Sequence, residues 1–333
     1  MHMSRIAING FGRIGRATFK AGWGKPGFDV VAINDLTDAK TLAHLLKYDS
    51  VYGKWSVEVK PGKQAIIIDG KEIPILSERD PLKLPWDKME IDVVIESTGI
   101  FRTQEQASMH VSAGAKRVII SAPAKGGHVP TRVISVNDIE IKDDGSKVIN
   151  NASCTTNCVA PVTSIINDAF GVEKALMTTI HGYTSTQNLI DGPHKDLRRA
   201  RAAAINMIPT STGAAIATTE TIPELEGKFD GLAIRVPLPV VSLSDITYLL
   251  SKDVTVDDVH KVIKKSVKSP RFKGIVNFTE EPLVSSDFIG DPHSAIVDFG
   301  LTRVVGGNLL KVVAWYDNEW GYAHRLAELA LKF

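Results

Sequence analysis

The amino-acid sequence predicts a two-domain protein: a doubly wound parallel α/β sheet, followed by an α+β domain with a mainly antiparallel sheet. In the first half, short β-branched runs alternate with helical segments, which is typical of a parallel sheet covered by helices. A glycine-rich turn follows the first run, and from about residue 151 the β-like runs lengthen. We therefore expect one domain over residues 1–153, a second over 154–317, and a C-terminal helix at about 318–333 that packs back on the first.

The composition limits the classes of protein to which this chain can belong. The chain of 333 residues is 44% hydrophobic and 23% charged, which is ordinary for a soluble globular protein, and its net charge of +1 favours neither nucleic acid nor an anionic membrane. No apolar run approaches the roughly 18 residues of a membrane span, and no charged-then-apolar leader precedes the first strand. Two cysteines are too few for a secreted disulfide framework. We expect a cytoplasmic enzyme with no membrane partner, no primary nucleic-acid role and no metal.

Bounded β-branched runs in the first half predict buried parallel strands at residues 5–9, 30–34, 92–96 and 117–121. Helical patterns occupy residues 11–20, 41–46 and 104–113. Asp69-Gly70 stands between two apolar runs, and this dipeptide is a strong signal for a hairpin turn.

In the second half, one long helix is predicted over residues 154–170. Five β-like runs follow, at 175–181, 232–236, 244–250, 295–299 and 309–315. Thr255-x-x-Asp258 resembles a capping box, with Asp in place of Glu or Gln, and opens a basic helix that runs to Lys268. Residues 321–331 are predicted as a terminal helix.

The run GFGRIG at residues 10–15 has the G-x-G-x-x-G spacing, follows a predicted strand and opens a predicted helix. Asp35 lies at the end of the next strand, which completes the dinucleotide-binding fingerprint of a Rossmann domain. Gly10, Gly12 and Gly15 permit a tight turn and close approach of a pyrophosphate to the helix N-terminus. Because Asp35 accepts ribose hydroxyls and repels a 2′-phosphate, NAD is favoured over NADP.

Cys154 starts the predicted long helix, and a helix N-terminus stabilises a thiolate, so Cys154 is a candidate nucleophile with a lowered pKa. Such a nucleophile needs a base, and His181, at a strand end, is the best candidate of nine histidines. Spacing alone leaves a structural role for His181 equally open. Cys158 is interpreted as a buried thiol, with a redox partnership to Cys154 as the lesser alternative. A reactive cysteine beside a nicotinamide site indicates aldehyde oxidation through a thioester.

The basic run at residues 194–201 is either a solvated face or a phosphate site, because arginine binds phosphate through paired N–H groups. Residues 210–215 are rich in hydroxyls and could add anion contacts. Arg235 interrupts an apolar strand, so it must be paired or bind an anion. No broad basic surface with interleaved aromatic residues accompanies these segments, which disfavours nucleic acid.

Four runs together carry a close family resemblance: INGFGRIGR at 8–16, ASCTTNC at 152–158, KDLRRAR at 195–201 and WYDNEWGY at 315–322. They resemble the signatures of the phosphorylating, NAD-dependent glyceraldehyde-3-phosphate dehydrogenases. The resemblance covers essentially the whole chain. The cysteine run is highly specific, whereas the glycine run is shared with many dehydrogenases.

The resemblance implies oxidation of D-glyceraldehyde 3-phosphate to 1,3-bisphosphoglycerate with NAD and inorganic phosphate, in glycolysis or gluconeogenesis. Cys154 attacks the aldehyde to give a hemithioacetal, and His181 pairs with the thiolate and then takes the hydroxyl proton. Hydride transfer to NAD leaves a thioester, which phosphate cleaves. Because His181 acts first as base and then as acid, we expect its pKa to lie near neutrality.

The resemblance also implies further site residues, grouped here by ligand. The expected NAD contacts are Arg13, Ile14, Asp35, Arg79, Ser121 and Asn318. The expected contacts to the substrate's C3 phosphate are Thr184 and Arg235, and those to the attacking phosphate are Ser153, Thr155, Arg199, Thr212 and Gly213. The family forms a homotetramer with 222 symmetry, in which residues 184–204 or so reach a neighbouring subunit's cofactor.

Two alternatives stay open. An erythrose-4-phosphate dehydrogenase would use the same cysteine and hydrolyse the thioester, but Ala152 and the phosphate motifs favour phosphorolysis. A NAD-sensing binding protein without turnover would need neither Cys154 nor His181. Gly192 stands where NAD-restricted members often carry Leu-Pro, which leaves weak use of NADP open as well.

Overall fold

The computed structural model of the chain describes residues 3–126, 129–138 and 145–333. The chain divides into two compact units. The first comprises Met1–Arg132, Ile139–Ala152 and Ala323–Phe333, and the second comprises Val133–Asp138 and Ser153–Tyr322.

The first unit alternates strands and helices. Its strands are β1 Ser4–Asn9, β2 Phe28–Asn34, β3 Tyr48–Asp49, β4 Gly53–Lys54, β5 Val59–Pro61, β6 Ala65–Ile68, β7 Lys71–Leu76, β8 Val93–Glu96, β9 Arg117–Ile120 and β10 Val148–Asn150. Its helices are α1 Arg13–Gly22, α2 Ala39–Lys47 and α3 Gln104–Ser112, with a 3-10 turn at Pro81–Lys83.

The main sheet of the first unit has the strand order β10-β9-β8-β1-β2-β7-β6-β5. Every pair from β10 to β7 is parallel, whereas β7, β6 and β5 pair antiparallel. The order runs outward in both directions from β1, so the predicted doubly wound sheet is confirmed. Strands β3 and β4 form a separate antiparallel pair.

The core of this sheet is built from the apolar runs that predicted its strands. Val94 on β8 and Val118 on β9 are fully buried and cluster with Ala107 of α3, Trp86 and Ile91. Burial of these side chains supplies most of the free energy that holds helix and strands together.

The Asp69-Gly70 hairpin is present between β6 and β7, which pair antiparallel with Ile68 opposite Lys71. Both turn residues have positive φ, 47° at Asp69 and 81° at Gly70. Two-residue turns of this hand match the twist of the strands, and glycine adopts such a φ without steric cost.

The second unit contains long strands and three helices of its own within the described residues. The helices are α4 Cys154–Phe170, α5 Ala214–Thr221 and α6 Val256–Ser266. The strands are β11 Val172–Gly182, β12 Ile208–Ser211, β13 Phe229–Val236, β14 Ser242–Leu250, β15 Val276–Thr279, β16 Ala295–Asp298, β17 Arg303–Val305 and β18 Leu309–Tyr316. Single 3-10 turns lie at Ala203–Ile205, Pro223–Leu225, Ser285–Phe288 and Phe299–Leu301.

The sheet of the second unit has the order β12-β13-β11-β14-β18-β16-β15, with β17 paired to β18. All pairs are antiparallel except β11 with β13 and β15 with β16. The predicted mainly antiparallel sheet is therefore confirmed. One of the two parallel pairs, β11 with β13, carries candidate site residues.

Two helices of the second unit begin where their sequences predict. Ser153 caps α4, its side chain accepting a hydrogen bond from the N–H of Thr156 at 3.1 Å. At α6 the Thr255 hydroxyl accepts from the N–H of Asp258 at 3.2 Å, and the Asp258 carboxylate accepts from the N–H of Thr255 at 3.1 Å. The predicted capping box is thus present with Asp in the third position.

Helix α7, Trp320–Lys332, ends the chain, and its residues from Ala323 onward belong to the first unit. Leu326 and Leu329 are fully buried there, and the guanidinium of Arg117 on β9 lies 4.8 Å from the ring centre of Phe333. In the part of the chain that the structure describes, no helix is both long and apolar enough to cross a bilayer.

Candidate functional site

The strands β1, β2, β8 and β9 are parallel, so their carboxyl ends lie along one edge of the first sheet. Gly10, Asp35 and Ser121 directly follow β1, β2 and β9. Ligands of open α/β sheets bind outside this edge. The structure therefore brings these three predicted cofactor residues to one edge.

The glycine turn is shaped by close backbone contacts. Gly10 has φ of 90°, and a Cβ there would lie 2.6 Å from the N of Thr98. A Cβ on Gly15 would collide with the carbonyl of Gly10. Gly12, at the N-cap of α1, offers no side chain to the first N–H groups of the helix. Such N–H groups at a helix N-terminus suit a pyrophosphate, which fits the predicted roles of Arg13 and Ile14 in the first turn.

Asp35 is tied to the glycine turn. Its Oδ2 accepts a hydrogen bond from the N–H of Phe11 at 2.7 Å, and its Oδ1 accepts from the N–H of Thr37 at 2.9 Å. A carboxylate has about four lone-pair sites, so capacity for ribose hydroxyls remains. The side chain of Arg13 pairs with Asp49, Nη1 to Oδ2 at 2.7 Å.

Asn34 is a residue that the sequence analysis did not single out. Its side-chain amide donates to the carbonyl of Glu78 at 2.9 Å and accepts from the N–H of Glu78 at 2.9 Å. These two bonds hold the segment before Arg79, an exposed side chain, against the end of β2. The signal available in the sequence is a polar residue that ends an apolar strand.

Glu96 is the second such residue, and it ends β8. Its buried carboxylate accepts from the Asn9 amide at 2.5 Å, from the N–H of Thr98 at 2.9 Å and from the hydroxyl of Thr98, and it lies 3.1 Å from Nε2 of His110. Thr98 is the residue that packs on Gly10. Glu96 therefore fixes the backbone against which the glycine turn rests.

In the second unit, α4 presents Cys154 at its first residue and β11 presents His181 at its end. The Sγ of Cys154 lies 3.4 Å from Nε2 of His181, although the two are far apart in sequence. His181 is 3% exposed. The geometry brings the predicted nucleophile and base together, as a general base requires.

Burial changes the charges expected for this pair. It raises the pKa of the Cys154 thiol, an effect that the nearby Arg235 charge opposes. It also lowers the pKa of His181 to about 3, and the Arg235 charge adds to that effect. The expectations of a lowered thiol pKa and a near-neutral imidazole are thus wrong for the chain alone, because desolvation of a buried charge exceeds the helix N-terminal effect.

Arg235 lies opposite His181 in the β11–β13 register. Its Nη1 is 2.6 Å from Nδ1 of His181 and donates to the carbonyl of Gly182 at 3.1 Å. Its Nε is buried and has no hydrogen-bond partner within the described residues. Burial lowers the pKa of Arg235, and the charge of Arg199 adds a smaller lowering. An anion near these two guanidiniums would therefore be stabilised.

Arg199 lies against strand β12. Its Nε donates to the Thr210 hydroxyl at 2.8 Å and its Nη2 to the carbonyl of Ser211 at 3.3 Å. The next residues, Thr212 and Gly213, open helix α5, where Gly213 is the N-cap and carries no side chain. The Arg199 guanidinium therefore contacts the residues that lead into the N-terminus of α5. A guanidinium and a helix N-terminus both suit an anion.

The remaining predicted hydroxyls are engaged within the chain. The Thr155 hydroxyl lies 2.9 Å from the Tyr316 hydroxyl, and the Thr184 hydroxyl lies 2.9 Å from that of Thr186. Asn318, in the second unit, accepts from the Ser242 hydroxyl at 3.0 Å, and its place beside the nicotinamide stays a prediction. Cys158 is fully buried, as interpreted, and burial raises its pKa.

A family model described as the NAD binding domain of glyceraldehyde 3-phosphate dehydrogenase matches residues 4–104, and one described as the C-terminal domain matches residues 153–318. The chain is 52% identical to glyceraldehyde-3-phosphate dehydrogenase of Borreliella burgdorferi, over 98% of this chain and 99% of that protein. It is 50% identical to the enzyme of that name from Geobacillus stearothermophilus, over 98% and 97%. The chain therefore belongs to the glyceraldehyde-3-phosphate dehydrogenase family.

Proposed function

We propose that this protein oxidises D-glyceraldehyde 3-phosphate to 1,3-bisphosphoglycerate with NAD and inorganic phosphate. The observation that carries the proposal is the 3.4 Å contact between the Cys154 Sγ and His181 Nε2 at the start of α4. A thiol, a base and an adjacent guanidinium are the groups that covalent oxidation of a phosphorylated aldehyde requires.

NAD, when bound, supplies the two-electron acceptor that turns a hemithioacetal carbon into a thioester. The glycine turn and Asp35 fit it, because Gly10 and Gly15 leave no room for a side chain and Gly12 leaves the first turn of α1 without a side-chain cap. Arg13, Ile14, Arg79, Ser121 and Asn318 are proposed as further contacts. Asp35 is proposed to select NAD over NADP.

Cys154 and His181 are proposed to perform the bond-making steps. The Cys154 thiol gives its proton to Nε2 of His181 as the sulfur attacks the aldehyde carbon and the carbonyl π pair moves to oxygen. N–H groups at the start of α4 stabilise that oxygen, which then takes the proton from His181 to give the hemithioacetal hydroxyl. His181 accepts the hydroxyl proton as the carbon is oxidised. A phosphate oxygen then attacks the thioester, the C–S bond breaks, and the thiolate of Cys154 is restored.

Arg235 is proposed to bind the C3 phosphate together with Thr184. The attacking phosphate is assigned to Ser153, Thr155, Arg199, Thr212 and Gly213. Burial lowers the pKa of His181 most, and the charge of Arg235 lowers it further, so an anion on Arg235 offsets the second effect and raises the pKa of His181.

A homotetramer is proposed for the assembly and the cytoplasm for the compartment. Leu189, Ile190 and Leu197, within the segment expected to reach a neighbouring subunit, are 79%, 76% and 81% exposed in the single chain. Large apolar side chains so exposed in one segment are typical of a protein interface. Both cysteines are free thiols, which supports a reducing compartment.

The test is the initial rate of NADH formation with glyceraldehyde 3-phosphate, with and without phosphate or arsenate, repeated with erythrose 4-phosphate and with NADP. Fast, phosphate-dependent, NAD-selective turnover that iodoacetate abolishes supports the proposal. Phosphate-independent turnover of erythrose 4-phosphate would assign the hydrolysing enzyme instead. Absence of turnover with both aldehydes would revive the NAD-sensing alternative.

A further inference from the structure

Tyr316, the last residue of β18, is buried at the base of the Cys154–His181 pair. Its hydroxyl lies 2.9 Å from the Thr155 hydroxyl and 2.8 Å from the Thr179 hydroxyl. Thr155 follows Cys154 in the first turn of α4. Thr179 precedes His181 by two positions on β11, so both side chains project from the same face of that strand. Tyr316 therefore joins the element that carries the thiol to the element that carries the imidazole.

The aromatic ring of Tyr316 also contacts the base. Its centroid lies 6.1 Å from that of the His181 imidazole at an interplanar angle of 78°, an edge-to-face arrangement. With Arg235 on the Nδ1 side of His181 and the Tyr316 ring on an edge, the imidazole is held with Nε2 toward the sulfur.

The hydroxyls of Thr179, Tyr316 and Thr155 form a hydrogen-bonded chain. The Thr179 hydroxyl also donates to the carbonyl of Leu243 at 3.4 Å, and either hydroxyl can be the donor in the contacts of Tyr316 with Thr179 and with Thr155. With Tyr316 donating to Thr155, the Thr155 proton is available to the sulfur. Burial raises the pKa of Cys154, and a hydrogen bond from the Thr155 side chain opposes that rise. Burial raises the pKa of Tyr316, so its hydroxyl stays protonated and able to donate.

We propose that Tyr316 is a positioning residue that orients the Thr155 hydroxyl toward the Cys154 sulfur and holds Cys154 and His181 in register. This inference deepens the proposed function, because it concerns the same thiol. Its test, alkylation of that thiol, does not depend on which aldehyde the enzyme oxidises.

The chain offers a matched control in Tyr248 on β14. Tyr248 is fully buried, and its hydroxyl lies 2.9 Å from that of Thr163, further along the same helix α4. Tyr248→Phe therefore removes a buried tyrosine–threonine hydrogen bond from α4 without touching its first turn. Tyr316→Phe removes the same type of contact beside Cys154.

The experiment measures the rate of Cys154 alkylation by iodoacetamide against pH in the full-length protein, with the modified residue located by mass spectrometry. We expect Tyr316→Phe to move the profile to higher pH by about half a unit, which lowers the rate roughly threefold below the thiol pKa. We expect Tyr248→Phe to follow the wild-type profile, although both variants lose thermal stability.

An unchanged profile in Tyr316→Phe, or equal displacement in both variants, would overturn the proposal, since a purely structural role affects both alike. If Tyr316→Phe does not fold, Thr179→Val is measured in its place. Thr179→Val keeps Thr155 and removes only the hydroxyl at the far end of the three hydrogen-bonded hydroxyls. We therefore expect the pH profile of alkylation to move in the same direction by a smaller amount. Loss of the assigned turnover with the profile difference intact would refute the proposed reaction and leave the positioning role standing.

Discussion

Arg235 contacts His181, and its charge also acts on Cys154. The position of such a single charge is the residue-scale feature that the sequence predicts least well. An arginine in an apolar strand predicts that its guanidinium is paired within the protein or binds an anion, but the sequence does not say which of the two it does. The structure places its Nη1 2.6 Å from Nδ1 of His181, a contact set by the register of two parallel strands. The strand-end position of His181 makes it the best candidate base for Cys154, and the family resemblance supports that pairing. Spacing alone cannot predict it, because residues on different elements can be neighbours at any separation.

Removing the Arg235 charge should raise both pKa values. Burial has the largest effect on both pKa values, but the Arg235 charge lowers the pKa of Cys154 and also that of His181, so Arg235→Met is expected to move each upward. At neutral pH the thiolate fraction then falls, and alkylation of Cys154 by neutral iodoacetamide slows. Arg198→Met, which removes an exposed guanidinium, is the control and should leave the profile in place. A profile that moves to lower pH in Arg235→Met would contradict the electrostatic account.

Asp35→Asn tests whether the Asp35 carboxylate selects NAD over NADP. The amide oxygen can still accept from the N–H of Phe11, so the bond to the glycine turn is kept, while the negative charge and the acceptor for the N–H of Thr37 are lost. We expect NAD to bind roughly tenfold more weakly, because hydrogen bonds to a charged acceptor are stronger, and NADP to bind more tightly. Titration calorimetry with both cofactors measures this. Asp38→Asn, which neutralises the nearby cap of α2, should alter neither affinity.

At the scale of elements, periodicity and capping predicted most of the structure. Helix α4 spans Cys154–Phe170 as expected, because a capping serine precedes a long apolar stretch. Helix α5, Ala214–Thr221, was not predicted, since its alanines and threonines show no apolar stripe and read as a hydroxyl-rich loop. The short edge strands β12 and β17 were missed because their register depends on neighbours distant in sequence.

The capping box of α6 makes a test of element stability. Thr255→Ala leaves the N–H of Asp258 without its acceptor, and we expect a loss of about 1 kcal/mol in the free energy of unfolding. Urea unfolding followed by circular dichroism measures it. Asp257→Ala removes an exposed acid from the same turn that takes no part in the box, and its effect should be clearly smaller.

At the scale of the whole molecule, the candidate functional residues fall into two groups by unit. The glycine turn, Asp35 and Ser121 belong to the first unit, and Cys154 and Arg235 belong to the second. The alternation of short strands and helices, and its loss after about residue 151, predicted this change of fold class. Desolvation could not be predicted in the same way, because it depends on the packing of the complete unit around each side chain.

Because His181 is buried and neutral, the free energy of unfolding of the protein depends on pH. Its pKa of about 3 lies below the ordinary value of 6.5, so the unfolded chain binds a proton more readily between these limits. Stability is therefore complete above pH 6.5 and falls with acidification, by about 2 kcal/mol at pH 5. His181→Asn removes this contribution, so the unfolding free energy of the variant should fall less between pH 7.5 and pH 5 than that of the wild-type protein.

The control is His44→Asn, which replaces an exposed histidine and should keep the wild-type pH dependence of the unfolding free energy at equal protein concentration. An identical pH dependence in the wild-type protein and both variants would contradict this role of His181.

The central claim is that Cys154 carries the oxidised substrate as a thioester until phosphate removes it. Rapid mixing of the protein with NAD and glyceraldehyde 3-phosphate, without phosphate, tests this most directly when intact and peptide masses are read alongside absorbance. We expect a burst of about one NADH per subunit, an acyl group on the peptide that contains Cys154, and loss of that group when phosphate is added. An acyl group on another residue, or a full NADH burst in Cys154→Ser, would contradict the claim.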